Sequence, residues 1–213
     1  MLSTALQNSV LYAACCLRPD IIAVGESGSG KTAIAKELKR EWKKQSPFHS
    51  VYGLIVSENE RTLERDIRRL YHRENIPFKD ADCQELIRQL VRDLSEKYSS
   101  GQQILLVFDD LDGPYAAIMG VLKELYRDKE TPLQNIEVIV TTQYRTYSKI
   151  SAFSSVHVSG FSVEEVRSYL GEYSRTYDLA DQKQKEMLRL PVALLAFKGI
   201  VKRNMVKFIH FYH

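Results

Sequence analysis

The chain has 213 residues, 44% of them apolar, enough to bury the core of one sizeable domain or of one domain with a small appendage. Its 30 Lys and Arg nearly balance 27 Asp and Glu, a net charge of +3 that argues against a dedicated nucleic-acid surface. Cys15, Cys16 and Cys83 do not make a disulfide framework; they suit a reducing, cytoplasmic compartment, and no Cys/His spacing suggests zinc.

Residues 4–17 read as an amphipathic helix packed on the domain that follows. Its apolar run, Val10 to Leu17, is too short to span a membrane, and no positive region precedes it as a signal peptide requires. Ile21-Ile22-Ala23-Val24 reads as a buried strand, and Ala33 to Leu38 as a helix. Between them Gly25-Glu26-Ser27-Gly28-Ser29-Gly30-Lys31-Thr32 fits G-x-x-x-x-G-K-[ST], the phosphate-binding loop of nucleotide triphosphatases. Strand, glycine-rich turn and helix are the context this motif needs. Successive backbone N–H groups converge in the turn, and the helix N-terminus adds partial positive charge, so a polyphosphate matches the concavity. Lys31 would reach the β/γ-phosphates, and Thr32 would offer its hydroxyl to Mg²⁺.

Val51–Val56 reads as the second strand. The segment Glu58–Tyr71 sets Leu63, Ile67, Leu70 and Tyr71 on one helical stripe. Its charges, Arg61, Glu64, Arg65, Asp66, Arg68 and Arg69, read as a solvated face, with a basic partner site on Arg65, Arg68 and Arg69 as the alternative. Asp82 and Glu85 are placed for a reciprocal cap ahead of Leu86, Leu90, Val91 and Leu94.

Ile104-Leu105-Leu106-Val107-Phe108-Asp109-Asp110 reads as a buried strand delivering a carboxylate at its C-terminal end, where ligands bind in open α/β sheets. Asp109 would hold Mg²⁺ and Asp110 would orient or activate the attacking water; the alternative is that two acids simply end a strand at a turn. Asp112 reads as a helix cap, and Pro114 suits the first turn of a Tyr115–Tyr126 helix. The strand Glu137–Thr141 ends in Thr141-Thr142-Gln143-Tyr144-Arg145. Thr141 or Thr142 would sense the γ-phosphate or hold the lytic water, and Arg145 would offset developing charge, unless Arg145 is only an exposed residue past a strand end.

A fifth strand, Ser155–Val158, precedes a capping box at Ser162 and Glu165 and the apolar series Val166, Tyr169, Leu170 and Tyr173. Strands stop near residue 160. The expected organisation is an α/β nucleotide domain over 1–160, its five parallel strands joined by crossover helices, and an incomplete helical subdomain over 161–213. The tail from Phe197 to His213 mixes apolar residues with Lys198, Lys202, Arg203 and Lys207; it reads as a core-covering helix, with a membrane-surface helix as the alternative.

At this point the chain resembles the nucleotide-binding module of STAND-type ATPases, and within them the NB-ARC group of apoptosome scaffolds and plant disease-resistance proteins. Four elements in family order carry the resemblance: Gly25–Thr32, Leu105–Asp110, Thr141-Thr142-Gln143, and Arg189-Leu190-Pro191-Val192-Ala193-Leu194 in place of a Gly-Leu-Pro-Leu-like element. Val158–Glu165 and Phe48–Ser57 add to it, so that most of residues 20–197 is covered. The resemblance implies a P-loop NTPase fold and a position for Pro191 over the adenine of bound ATP or ADP. The chain departs from the pattern with Gln143 where the family commonly has Arg, and with Arg189 where it has Gly. It also ends before a winged-helix region, as a fragment or a minimal relative would. The function expected is an ATP/ADP-binding switch with slow Mg²⁺-dependent hydrolysis, coupled to homo-oligomerisation or recruitment of a protein partner. The alternative is an ATPase loader or motor of the AAA+ type. A kinase would need an acceptor site that is not evident, and a GTPase would need an Asn-Lys-x-Asp motif that the chain lacks.

Overall fold

Every strand expected from an apolar run is a strand in the computed structural model, which describes residues 20–45, 50–55, 60–77, 80–98, 102–111, 120–122, 135–143 and 153–211. The expectations for the 4–17 helix, Asp112, Pro114 and Arg145, and most of that for the Tyr115–Tyr126 helix, lie outside these residues. In chain order the elements are β1 (Ile21–Val24), α1 (Lys31–Gln45), β2 (Ser50–Ile55), α2 (Glu60–Glu74), α3 (Cys83–Lys97), β3 (Ile104–Asp109), β4 (Ile136–Thr142) and β5 (Ser154–His157). They continue with α4 (Val163–Leu170), a 3₁₀ turn (Gly171–Tyr173), α5 (Ser174–Asp178), α6 (Gln182–Leu188) and α7 (Pro191–Phe211).

The five strands form one parallel sheet in the order β2-β3-β4-β1-β5. The central strands are buried on both faces, which is why they read as unbroken apolar runs rather than alternating ones. Alternate side chains divide between two layers. Ile22, Val24, Leu106, Phe108, Val138 and Val140 join the stripes of α2 (Leu63, Ile67, Leu70, Tyr71) and α3 (Leu86, Leu90, Val91, Leu94) in one core. The intervening positions take α1, which packs on β4 and β3 and buries Ile34, Ala35, Leu38 and Trp42. Glu137 brings a polar group to that face, and its carboxylate accepts a hydrogen bond from Trp42 Nε1 at 2.6 Å. β5 lies at the sheet edge and begins one residue before the expected Ser155; its burial alternates, so no apolar run marks its ends.

Asp82 caps α3 by accepting the Glu85 N–H at 2.9 Å, but the cap is not reciprocal. The Glu85 carboxylate turns instead to Arg88 and Arg92, at 3.4 and 3.2 Å, because a charged partner competes well with a single backbone N–H.

The described residues fall into two compact units. Those up to Gly25 and from Lys31 to His157 form the first; Glu26–Gly30 and those from Val158 onward form the second. In the second unit the Ser162–Glu165 capping box is complete, with bonds of 3.2 and 2.8 Å. A second box, Asp181 with Gln184, starts α6. Phe161, Val166, Leu170, Tyr177, Leu188 and Leu194 make this unit's own core. Pro191 occupies the first turn of α7, where its missing N–H costs nothing. Among the described residues no helix is long and apolar enough to cross a membrane.

Candidate functional site

The turn after β1 takes the shape its glycines allow. Gly28 and Gly30 have φ of 78° and 102°, left-handed values that a side chain would strain. The Ser29 N–H closes the turn onto the Glu26 carbonyl at 3.2 Å. The Ser29 hydroxyl is buried and makes no hydrogen bond to the described residues, an orphan polar atom in a loop shaped to receive an oxyanion. At the loop's entry, Gly25 N–H donates to Thr142 O at 3.1 Å, tying the loop to the end of β4.

Lys31 opens α1. It is buried, and its ammonium donates to Gly25 O at 2.8 Å, so the side chain folds back onto the residue that follows β1. One residue on, Thr32 Oγ1 donates to Asp109 Oδ1 at 3.0 Å across 77 positions of sequence. The parallel sheet makes this possible, since β1 and β3 both point their C-terminal ends to the side where ligands bind. A hydroxyl and a carboxylate brought together at this end of the sheet are hard-oxygen donors of the kind that a divalent cation takes.

Thr141 completes the group. Its hydroxyl, fully buried, donates to Asp109 Oδ1 at 2.7 Å and accepts the Asp110 N–H at 2.8 Å, while its carbonyl accepts the Leu111 N–H at 2.8 Å. Asp110 is exposed and has φ of 64°, a left-handed conformation outside glycine's usual company. One threonine thus aims the first acid and holds the unusual backbone of the second. Thr142 is also buried, beside Val24 in the sheet register.

Within the second unit, Pro191 and Val192 lie close over the loop glycines. A Cβ at Gly30 would stand 3.6 Å from Pro191 Cγ, and one at Gly28 would stand 3.7 Å from Val192 Cβ. Sequence reasoning did not foresee how Arg189 anchors this corner. Its carbonyl accepts the Phe161 N–H at 2.7 Å, and its Nε donates to Phe161 O at 2.8 Å. Gly160 makes the approach possible, because a Cβ there would lie 2.8 Å from the Arg189 carbonyl oxygen. A glycine two residues before a capping box was the available signal.

Fold and site together define a P-loop NTPase. The NACHT domain family matches residues 20–177, well over half of the chain, and the chain belongs to that family, within the STAND class that its motifs resemble. It is therefore a nucleotide-binding ATPase-type domain. No individually curated protein matches the sequence. Among solved structures, Cdc6p from Pyrobaculum aerophilum is similar in fold, with a TM-score of 0.56 and 18% identity over 81% of this chain and 48% of that one. The Aeropyrum pernix ORC2 protein, solved as ADPNP–ADP complexes, gives 0.55 and 15% over 95% of this chain and 61% of that one. A STAND protein with a tetratricopeptide repeat sensor from Pyrococcus horikoshii gives 0.52 and 16% over 91% and 29%. The chain thus spans between about a third and three-fifths of the structures it is similar to.

Proposed function

We propose that this chain is the nucleotide-sensing part of an ATP/ADP switch: it binds ATP with Mg²⁺, hydrolyses it slowly, and couples nucleotide state to homo-oligomerisation or recruitment of a protein partner in cytoplasmic signalling. The observation that carries the reading is the convergence of Thr32, Asp109 and Thr141 at one end of the sheet, with Thr32 the last residue of the P-loop motif. In this reading the backbone of Gly25, Glu26, Ser27, Gly28, Ser29 and Gly30 holds the phosphates, and Lys31 swings from Gly25 O to the β/γ-phosphates. Thr32 and Asp109 hold Mg²⁺, which supplies charge neutralisation at the phosphates. Asp110 orients the attacking water, Thr141 and Thr142 fix the acids and the loop entry, Arg145 offsets charge on the γ-phosphate, and Pro191 covers the adenine. Residues 1–160 form the nucleotide domain and 161–213 a helical subdomain. Only ATP offers contacts at the γ-position, so only ATP can bias the arrangement that depends on them.

The decisive experiment identifies the nucleotide released when purified protein is denatured, beside the variant Lys31→Ala. Retained ADP or ATP in the wild type, and a loss of affinity of about tenfold or more in the variant, are expected from removing one charge-assisted contact. An empty protein that binds neither nucleotide, with the variant no different, rejects the proposal.

A second reading, an AAA+ type loader, draws on the likeness of fold to the Aeropyrum pernix ORC1 protein, solved in complex with DNA. Strong stimulation of ATP turnover by DNA would favour it over the switch.

A further inference from the structure

Away from the nucleotide loop, the α/β unit carries cations in regular rows. On α2, Arg65, Arg69 and Arg73 recur every fourth residue, so they leave one side of the helix at intervals of about 6 Å. Their side chains are 58%, 69% and 60% exposed. Their carboxylate partners are shared: Asp66 lies 3.7 Å from Arg65 and 3.5 Å from Arg69, and Glu74 lies 3.3 Å from Arg73 and 3.1 Å from Lys97. Among the described residues the three arginines of the row share two carboxylates. Asp66, Arg69, Leu70 and Arg73 line an open groove of about 280 Å³. The Arg73 guanidinium sits 4.7 Å from the Tyr52 ring centroid, which holds it at the groove's edge. From Arg73 the cationic surface continues to α1, where burial and the like charges of Lys43 and Arg73 hold the Lys39 ammonium below the usual lysine value. Such mutual repulsion is relieved by a bound anion.

We propose that this groove, with the arginine row along it, docks an extended acidic segment of a partner polypeptide. Alternate side chains of an extended chain recur about every 6.6–6.8 Å, close to the arginine interval of about 6 Å, so acids at every second position meet successive guanidiniums. Each guanidinium can take a carboxylate in a two-pronged bond. Nucleic acid fits less well. No aromatic side chain lines the groove among the described residues to stack a base; the Tyr52 ring is buried. The proposal goes beyond the nucleotide reading and does not depend on it.

The test is fluorescence anisotropy with a labelled twelve-residue peptide of alternating Glu and Ala, run on the full chain beside a labelled single-stranded oligonucleotide of equal length. Saturable peptide binding is expected, weakening as salt rises, unaffected by excess Mg²⁺–ADP, and at least tenfold weaker in R69E/R73E. The neutral pair R69Q/R73Q should fall between, with both variants keeping the wild-type circular dichroism spectrum, since these side chains are exposed. No peptide binding at low salt, binding unchanged in R69E/R73E, displacement by Mg²⁺–ADP, or tighter binding of the oligonucleotide would each overturn it.

Discussion

Thr141 concentrates the chemistry of the candidate site in one hydroxyl, which donates to Asp109 and accepts from Asp110 N–H. Thr141→Val keeps the shape but leaves the Asp110 N–H unsatisfied, which costs about 1–3 kcal/mol if the group stays buried. The expected kinetic result is a fall in ATP turnover of about tenfold or more with nucleotide affinity nearly unchanged, and rescue by Thr141→Ser; equal losses in affinity and turnover would mean that the site had collapsed. Glu137 makes a second prediction at this scale. Burial pushes its carboxyl above the usual carboxylate range, and the Trp42 bond only partly opposes this. The folded state therefore holds a proton that the unfolded chain releases, so the contribution to stability is present at low pH and is lost as pH rises above about 4.5. Thermal midpoints across pH 4–8 should show that loss in the wild type minus Glu137→Gln difference, since the amide keeps the Trp42 bond and cannot titrate. A flat difference would remove the basis for it.

Among the elements, Gly160 is the position at which one added carbon should matter most. A Cβ there meets the Arg189 carbonyl oxygen at 2.8 Å and its carbon at 3.1 Å, both backbone atoms with little freedom to yield. Gly160→Ala should cost about 1–3 kcal/mol, measured by denaturant unfolding of the C-terminal helices, and should loosen the start of α7. A variant as stable as wild type would show that the Phe161–Arg189 pairing is dispensable. This contact also shows where sequence reasoning stops. The Ser162–Glu165 cap and the strand β3 were legible because each is written within a few residues, as a hydrogen-bond pair or an apolar run. The partnership of Arg189 with Phe161 spans 28 positions, and both of its bonds use Phe161 backbone atoms, which no local side-chain pattern encodes. The Asp82–Glu85 pattern read as a reciprocal box for a different reason: the motif does not weigh the competition of Arg88 and Arg92 for the Glu85 carboxylate.

At the scale of the whole molecule, the five-stranded parallel sheet was legible because its central strands are buried on both faces and therefore apolar throughout. The P-loop, Asp109 and Asp110 could be found by spacing, but the role of Thr141 could not. Its two bonds depend on β3 and β4 lying side by side, which a linear sequence does not state. The α2 arginines were legible as charges and ambiguous in meaning; what the fold adds is a groove beside them and the sharing of Asp66 between two of them.

The bond between Trp42 and Glu137 has a practical consequence. Trp42 is the only tryptophan of the chain, and it rides on the helix that begins at Lys31 while touching the strand that ends at Thr142. The protein thus carries its single tryptophan, which can be excited apart from its tyrosines, on the seam between that helix and its central sheet. Any shift of that helix when the loop fills would change the emission of unlabelled protein, allowing movement at the seam to be followed in real time with no added dye.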